Sequence, residues 1–255
     1  MFHRYWRSMV YPGSFAAFAE QSELGLAGLT ATPLTTAGGD KVNLYQASGG
    51  NGPLHFLFFY GNGMTSAVCE VERELLAPFG DFWVPDYVGY GESTGVPSEA
   101  GCYDSADAAY DYLRKQRHIP ASRIVVVGRS LGAAVAIDLA ARVPVAGLVA
   151  ICPFQSLGAV ATRLWRGIPV GALLGRRFDN MSKLPRVNCP ILVVHGELDG
   201  LVPCEQGRRL AAQNPKAEFL MIPEAGHNNL LLGEGPLVPR HLNLFVRRVL
   251  DGAGE

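Results

Sequence analysis

The fold is decided by the stretch Val125-Val126-Val127-Gly128-Arg129-Ser130-Leu131-Gly132-Ala133-Ala134. An apolar, β-branched run enters a Gly-x-Ser-x-Gly turn, and an alanine-rich segment follows it. A strand, a tight turn and a helix in this order predict that the hydroxyl of Ser130 projects outward from a sharp elbow, as a candidate nucleophile. Gly128 and Gly132 have no Cβ, so the strand and the helix can approach each other closely around this serine.

Apolar runs of strand length recur on both sides of this elbow. Residues 54–60, 145–151 and 190–195 are almost continuously apolar, as expected of strands that are buried on both faces of a parallel sheet. Segments with a helical pattern separate them, among them residues 103–117. This alternation predicts an α/β fold with a doubly wound, mostly parallel sheet of about eight strands and right-handed crossovers. Ligands of such sheets bind at the carboxyl ends of the strands.

The composition predicts one domain over residues 1–255. Hydrophobic residues make up 48% of the chain and charged residues 18%, which suits a protein with a sizeable core, and no linker or internal repeat divides it. Residues 1–28 are expected to form an N-terminal arm. Residues 153–184 are longer than the other connections and carry apolar residues at helical spacing, so we expect a small helical cap. Its Leu157, Leu164 and Trp165 are candidates for the substrate pocket.

Charge and cysteine content limit the partners. The formal net charge is -1 and no basic stripe is present, so a nucleic-acid partner is not expected. The five cysteines form neither a disulfide framework nor a zinc-ligand spacing, which favours free thiols and a cytoplasmic location. No stretch predicts a membrane span or a signal peptide. Contact of Phe2, Tyr5 and Trp6 with a membrane surface stays open as an alternative to docking on the domain.

A serine hydroxyl becomes nucleophilic when a base accepts its proton, and that base must be oriented by an acid. In a sheet of this type the acid and the histidine follow the serine along the chain. Asp199 follows the strand at residues 190–195, and His227 follows the strand at residues 217–222. The sequence therefore predicts that Ser130, Asp199 and His227 are the catalytic residues.

Other acids and histidines leave alternatives open. Glu197 competes with Asp199 as the acid, although it lies immediately past the strand. His195 ends a buried strand and is expected to be a packed, hydrogen-bonded histidine. A metal site formed by His195, Asp199 and His227 is conceivable, but no ligand-spacing motif supports it, so no metal or other cofactor is predicted. The remaining histidines are expected to be structural, exposed or part of the arm: His3, His55, His118 and His241.

Backbone amides are needed to bind the oxyanion that develops during attack. The amide of Leu131, directly after the nucleophile, is one candidate. The second is expected in the glycine-containing loop after residues 54–60, with the amide of Asn62 as first choice and that of Gly63 as second. Arg129 is expected to point away from the substrate. An arginine cluster is interpreted as a solvated helix face, with recognition of an anionic substrate as the alternative: Arg163, Arg166, Arg176 and Arg177.

With these residues in place, the chain resembles the α/β-hydrolase superfamily of serine hydrolases from about Tyr11 onward. Within it, the chain is similar to the α/β-hydrolase-domain subgroup that includes protein depalmitoylases and uncharacterised esterase-like proteins. The resemblance rests on motifs spread along the chain: Gly61-Asn62-Gly63, Asp86 to Ser93, Pro97-Ser98-Glu99, Gly128 to Gly132, Pro153 to Ser156, His195-Gly196 with Asp199 and Val202-Pro203, and Gly226-His227.

Two positions depart from the pattern of that subgroup. Tyr60 stands where a histidine usually precedes the oxyanion loop, and Val88 stands where an arginine is usual. The backbone donors need neither side chain, so the departures bear on loop rigidity and on the polarity of the pocket. The cysteine-rich N-terminus that would anchor a depalmitoylase to a membrane is also missing.

The residues and the resemblance together predict a serine hydrolase that cleaves carboxylic esters or thioesters through an acyl-enzyme on Ser130. Its expected partner is a small-molecule acyl ester or thioester. An acyltransferase or a peptidase could use the same three residues, and a non-catalytic binding protein could use the same fold. The sequence leaves the acyl group and the oligomeric state open.

Overall fold

The structure is a computed structural model that describes residues 28–48, 50, 52–66, 69–164, 174–231 and 237–252. The predicted N-terminal arm lies outside the described residues, apart from its last position. By its internal contacts the chain divides into two compact units, residues 1–124 and residues 125–255. The described residues form eight strands, and most of the strand pairs are parallel, so the predicted α/β fold class is confirmed.

The described residues of the first unit form four strands. These are β1 (Thr30–Thr35), β2 (Lys41–Ala47), β3 (Leu54–Phe59) and β4 (Gly80–Pro85). β1 and β2 form an antiparallel hairpin, β2 pairs antiparallel with β4, and β4 pairs parallel with β3. β3 is apolar along almost its whole length because both of its faces are covered.

In the described residues of the first unit, the helices are α1 (Glu70–Leu76), continued by a 3₁₀ turn at Ala77–Phe79, and α2 (Glu99–Asp111), continued by a π-helical turn at Tyr112–Gln116. The helix that the sequence predicts at residues 103–117 therefore begins four residues earlier. The reason is a cap, since the Ser98 hydroxyl accepts a hydrogen bond from the Gly101 amide at 2.9 Å.

Four parallel strands lie in the part of the second unit that the structure describes. They are β5 (Ile124–Arg129), which begins at the boundary, β6 (Gly147–Ile151), β7 (Ile191–Gly196) and β8 (Ala217–Ile222). β6 pairs with β5 and with β7, and β7 pairs with β8. Their carboxyl ends consequently lie at one edge of the sheet, and the sequence predicts a catalytic residue after β5, β7 and β8 and a cap after β6.

The helices found in the described part of the second unit are α3 (Leu131–Ala140), α4 (Leu157–Leu164), α5 (Asn180–Lys183), α6 (Cys204–Ala211) and α7 (Leu237–Gly252). All residues of α3 are buried, which explains why it is alanine-rich and apolar all round. Its one carboxylate, on Asp138, is paired with Lys183 at 2.8 Å and with Arg142 at 2.7 Å. This pairing compensates the cost of burying that charge beside the elbow helix.

The long helix α7 packs on the sheet through one face. Its buried residues Leu242, Phe245, Val246 and Val249 recur at the spacing of an amphipathic helix. A Cβ at Gly147, the first residue of β6, would lie 2.8 Å from the Phe245 ring and 2.9 Å from Val249. The glycine therefore lets this helix lie close to the strand.

Candidate active site

Ser130 lies in the turn between β5 and α3, with its backbone in an unusual conformation. Its φ is 53° and its ψ is −112°, which is rare for a residue with a side chain. The Ser130 amide donates to the Ile151 carbonyl at 2.8 Å, which anchors the turn to β6. A Cβ on Gly128 would lie 2.1 Å from the Gly132 carbonyl oxygen, so only glycine fits there. These are the features of a nucleophile elbow.

Asp199 lies in the loop after β7 and is almost completely buried, with 5% of its surface exposed. Its Oδ1 accepts hydrogen bonds from the amides of Leu201 at 2.9 Å and Val202 at 2.7 Å. These bonds close a tight turn around the side chain and fix its orientation. Glu197, the competing acid, is exposed to solvent.

The second oxygen of Asp199 faces two histidines. Oδ2 lies 2.7 Å from His227 Nδ1 and 3.3 Å from His195 Nε2. Burial by itself raises the pKa of Asp199, but the hydrogen bonds from both histidines and the Val202 amide outweigh it and bring this pKa well below its usual range. Asp199 is therefore a buried carboxylate held in its charged form.

The contact with Asp199 defines the state of His227. A carboxylate oxygen only accepts, so Nδ1 carries a proton, and in the neutral form of the ring it is Nε2 that offers a lone pair. The imidazole is mostly buried, with 10% of its side chain exposed. An imidazole held in this way can accept a proton from a hydroxyl, which is the property required of a general base.

The loop that carries His227 is tied to the elbow by Arg129. The guanidinium of this arginine donates to the His227 carbonyl oxygen at 3.1 Å and to the Asn228 carbonyl oxygen at 3.3 Å. The sequence predicts only that Arg129 points away from the substrate, because the two partners stand 98 positions apart in the chain and nothing local marks their contact. The residue before Ser130 thus contacts the segment that carries the candidate base.

Cys152 is a site residue that the sequence reasoning missed. It follows β6 directly, has a φ of 47° and donates its amide to the Val194 carbonyl oxygen at 2.8 Å. Its thiol, the Asp199 carboxylate and the His227 ring offer three potential metal-ligand atoms within 4.8 Å of one another. Burial and the nearby Asp199 charge raise the pKa of Cys152 to about 12, so it remains a thiol. Its position at the carboxyl end of a strand was the available signal.

This cluster differs from the metal site that the sequence left open, because Cys152 takes the place of His195. Asp199 and His227 already bond to each other through the Nδ1 proton. A metal ligand at the same nitrogen would require that proton to leave. The arrangement therefore suits a hydrogen-bonded acid–base pair better than a metal centre.

Two of the candidate oxyanion donors lie in the first unit. Asn62 and Gly63 form a turn two residues after the end of β3, in which the Met64 amide donates to the Gly61 carbonyl at 3.3 Å. Gly63 has a φ of 77°, and the Tyr90 hydroxyl donates to Asn62 Oδ1 at 3.2 Å. The third candidate, Leu131, is the first residue of α3, and amides in the first turn of a helix have no acceptor within the helix.

Tyr60, the first departure from the family pattern, belongs to a buried hydrogen-bond network in the first unit. Its hydroxyl donates to Asp86 Oδ1 at 3.1 Å and accepts from the Tyr87 amide at 3.1 Å. The Ser66 amide donates to the same Asp86 oxygen at 3.2 Å. Burial raises the pKa of Asp86 to about 6. Tyr60 thus holds the end of β3 to the segment after β4.

Val88, the second departure, is also buried. Its amide donates to the Ser105 hydroxyl at 3.0 Å, and a Cβ on Gly101 would lie 3.0 Å from its side chain. This position is therefore packed against α2 rather than open to solvent.

The predicted cap residues are only partly described. Leu157 begins α4, is half-buried and donates its amide to the Arg177 carbonyl at 2.9 Å. Leu164 ends the same helix, but its side chain lies outside the described residues, as does all of Trp165.

Three of the four clustered arginines are described, and all three are exposed: Arg163, Arg176 and Arg177. Arg176 pairs with Asp179 at 2.6 Å. Arg166 lies outside the described residues. Within the part of the chain that the structure describes, no helix has the length and the apolar character needed to cross a bilayer.

Comparison with known proteins places these observations in a family. The model of the alpha/beta hydrolase family matches residues 49–180. The uncharacterized protein Rv2307c of Mycobacterium tuberculosis is 36% identical over 203 residues, which cover 79% of this chain and 72% of that protein. Human alpha/beta hydrolase domain-containing protein 17C is 33% identical over 148 residues, 58% of this chain and 44% of that protein.

Solved structures show the same fold. The Pyrococcus furiosus esterase Pf2001 superposes with a TM-score of 0.75 at 19% identity, over 88% of this chain and 92% of the esterase. At this level of identity the likeness concerns the fold and leaves the reaction open.

Proposed function

Because this chain belongs to the alpha/beta hydrolase family, we propose that it hydrolyses carboxylic esters or thioesters through an acyl-enzyme on Ser130. The observation that carries the proposal is the 2.7 Å contact between Asp199 Oδ2 and His227 Nδ1. This contact places the buried Asp199 carboxylate against the His227 imidazole, and both residues lie in the same unit as Ser130.

In the first half of the reaction, Ser130 Oγ attacks the acyl carbon while His227 Nε2 takes the hydroxyl proton. Asp199 stays ionised and stabilises the imidazolium. The tetrahedral intermediate collapses when the bond to the leaving oxygen or sulfur breaks, and His227 returns the proton to that atom. The products of this half are the acyl-enzyme and a free alcohol or thiol.

In the second half, His227 takes a proton from water as the water oxygen attacks the acyl carbon. The bond to Ser130 Oγ breaks, the serine regains its proton, and a carboxylic acid leaves. The Leu131 amide and the amide of Asn62 or Gly63 are the proposed oxyanion donors in both halves. The chain order Ser130, Asp199, His227 agrees with the proposed roles of nucleophile, acid and base.

The acyl group is proposed to be apolar. We assign residues 153–184 to a cap whose Leu157, Leu164 and Trp165 contact the acyl chain, on the basis of their apolar character and the helix at Leu157–Leu164. The single-domain organisation, the N-terminal arm and the cytoplasmic location likewise remain predictions.

A substrate series tests the proposal. Nitrophenyl esters and acyl thioesters of increasing chain length are offered to wild type, Ser130→Ala and Ser122→Ala, the last being an exposed serine that serves as the matched control. We expect wild type and Ser122→Ala to turn over at equal rates and Ser130→Ala to lose activity by at least about a thousandfold. Equal rates in wild type and Ser130→Ala would reject Ser130 as the nucleophile.

A further inference from the structure

His195, the penultimate residue of β7, is completely buried beside the candidate acid. Its Nε2 lies 2.8 Å from the Val202 carbonyl oxygen and 3.3 Å from Asp199 Oδ2. Both neighbours are acceptors, so Nε2 must carry a proton that is shared between them. One imidazole N–H therefore contacts both the side chain of the acid and the backbone that ends its loop.

The opposite side of the His195 ring is locked by packing. Among the described residues its Nδ1 has no hydrogen-bond partner, and a proton at that atom would have no acceptor. A Cβ on Gly207, in α6, would lie 2.3 Å from Nδ1. The absence of a side chain at Gly207 is what allows the ring to lie against the helix. A rotation that exchanged the two ring nitrogens, or a shift of the ring toward α6, would therefore break the contacts of Nε2 with Val202 and Asp199.

We propose that His195 is a positioning residue, whose Nε2–H holds Asp199 Oδ2 in the orientation that His227 requires. The inference rests on the proposed function, since it takes Asp199 as the acid of the reaction. The amides of Leu201 and Val202 fix only Oδ1. Without His195, the one imidazole left on Oδ2 would be that of His227, the group that this oxygen is meant to orient. A carboxylate so held can rotate away with its partner.

This role predicts a specific kinetic effect. His195 does not contact the proposed nucleophile or its substrate, so its loss should lower kcat and leave KM unchanged. We expect kcat to fall about tenfold in His195→Phe, which keeps the ring shape and removes the donor. His195→Gln can place an amide N–H near the former Nε2 and should recover most of the rate. His241→Phe, on α7 outside the site, is the matched control and should behave as wild type.

An NMR measurement tests the role of His195 without requiring enzymatic turnover. The chain has six histidines, so selective ¹⁵N-histidine labelling can assign the low-field Nδ1–H proton of His227 through a His227 variant. This signal persists only while the Nδ1–H of His227 donates its hydrogen bond to Asp199. We expect it in wild type and His195→Gln, and we expect it to be lost in His195→Phe. If wild type neither hydrolyses esters nor acylates Ser130, the proposed function fails, but this spectrum still tests the contact of His195.

A second variant covers the case in which His195→Phe does not fold. Gly207→Ala forces the intact His195 ring to shift, so it should also lower kcat at constant KM and weaken the His227 signal. Gly252→Ala, a helical glycine with open space around it, is the control. Wild-type kcat and an unchanged signal in folded His195→Phe, or in Gly207→Ala, would overturn the proposal. So would a His195→Gln variant as impaired as His195→Phe.

Discussion

Two buried aspartates in this chain have opposite properties. Asp86, directly after β4 in the first unit, and Asp199, in the loop after β7 in the second unit, are 2% and 5% exposed. Burial raises the pKa of Asp86 to about 6, although Tyr60 and Ser66 donate to it. Burial acts in the same direction on Asp199, yet the pKa of that carboxyl lies well below its usual range.

The difference between the two pKa values comes from the hydrogen-bond donors to each carboxylate rather than from how deeply each is buried. The donors to Asp86 are neutral groups of Tyr60 and Ser66, and its Oδ2 lies against Gly91, where an added Cβ would be 2.3 Å away. Asp199 has two amides on Oδ1 and two imidazoles on Oδ2. A buried carboxylate becomes a stable anion only when enough donors replace water. The hydrogen-bond donors around Asp199 therefore keep it charged and able to stabilise an imidazolium, whereas those around Asp86 do not.

The largest expected effect comes from removing the charge of Asp199. Asp199→Asn keeps the size of the side chain but can hold His227 in the wrong tautomer, so kcat/KM should fall by about a thousandfold or more. Asp86→Asn and Glu197→Gln are the matched controls, and steady-state kinetics on one ester is the measurement. If Glu197→Gln costs far more activity than Asp199→Asn, Glu197 is the acid instead.

A smaller effect is expected at the loop that carries His227. Arg129→Met removes both hydrogen bonds to the carbonyl oxygens of His227 and Asn228. We expect kcat to fall about tenfold, because the base is less well placed against Asp199. The free energy of unfolding should fall by about 1 kcal/mol in urea denaturation. Arg209→Met, an exposed arginine on α6, should change neither quantity.

The pH dependence of stability separates the two aspartates by sign. Unfolded Asp86 loses its proton near about pH 4, whereas the folded protein keeps it up to about pH 6. Between these values the folded state binds more protons, so stability falls as the pH rises, by about 3 kcal/mol in total. Asp199 acts in the opposite direction, because its contribution is present above about pH 4 and is lost as the pH falls further.

Urea unfolding of wild type and Asp86→Asn from pH 4 to pH 7 measures this contrast. The amide has no proton to lose, so the variant should gain stability relative to wild type as the pH rises and then level off above about pH 6. Activity should change little. A constant difference between the two proteins over this range would contradict the raised pKa of Asp86.

The sequence predicted those features that depend on residues close together in the chain. The Gly-x-Ser-x-Gly turn at Ser130 and the apolar strands can each be identified from a few consecutive residues. Asp199 and His227 could then be chosen because each follows one of these strands in the required chain order. The contacts that refine the site join distant segments, as Arg129 and His227 do across 98 residues. Neither residue type nor spacing marks that contact, because it depends on how the loops fold back.

Other details depended on competition between local signals. The early start of α2 follows from the cap at Ser98, which outweighs the mixed composition of the residues after it. The positions of Cys152 and His195 against Asp199 required the parallel register of β6 and β7, which aligns the ends of these strands. The sequence indicated that both strands end there but not which side chains turn toward the acid.

The most direct test of the central claim is covalent labelling of Ser130. A fluorophosphonate is incubated with wild type, Ser130→Ala, His227→Ala and Ser122→Ala, and intact mass with peptide mapping locates the adduct. We expect one adduct per chain, on Ser130, in wild type and Ser122→Ala. Labelling should be far slower in His227→Ala and absent in Ser130→Ala. An adduct on another residue of wild type, or undiminished labelling of Ser130→Ala, would contradict the proposed mechanism.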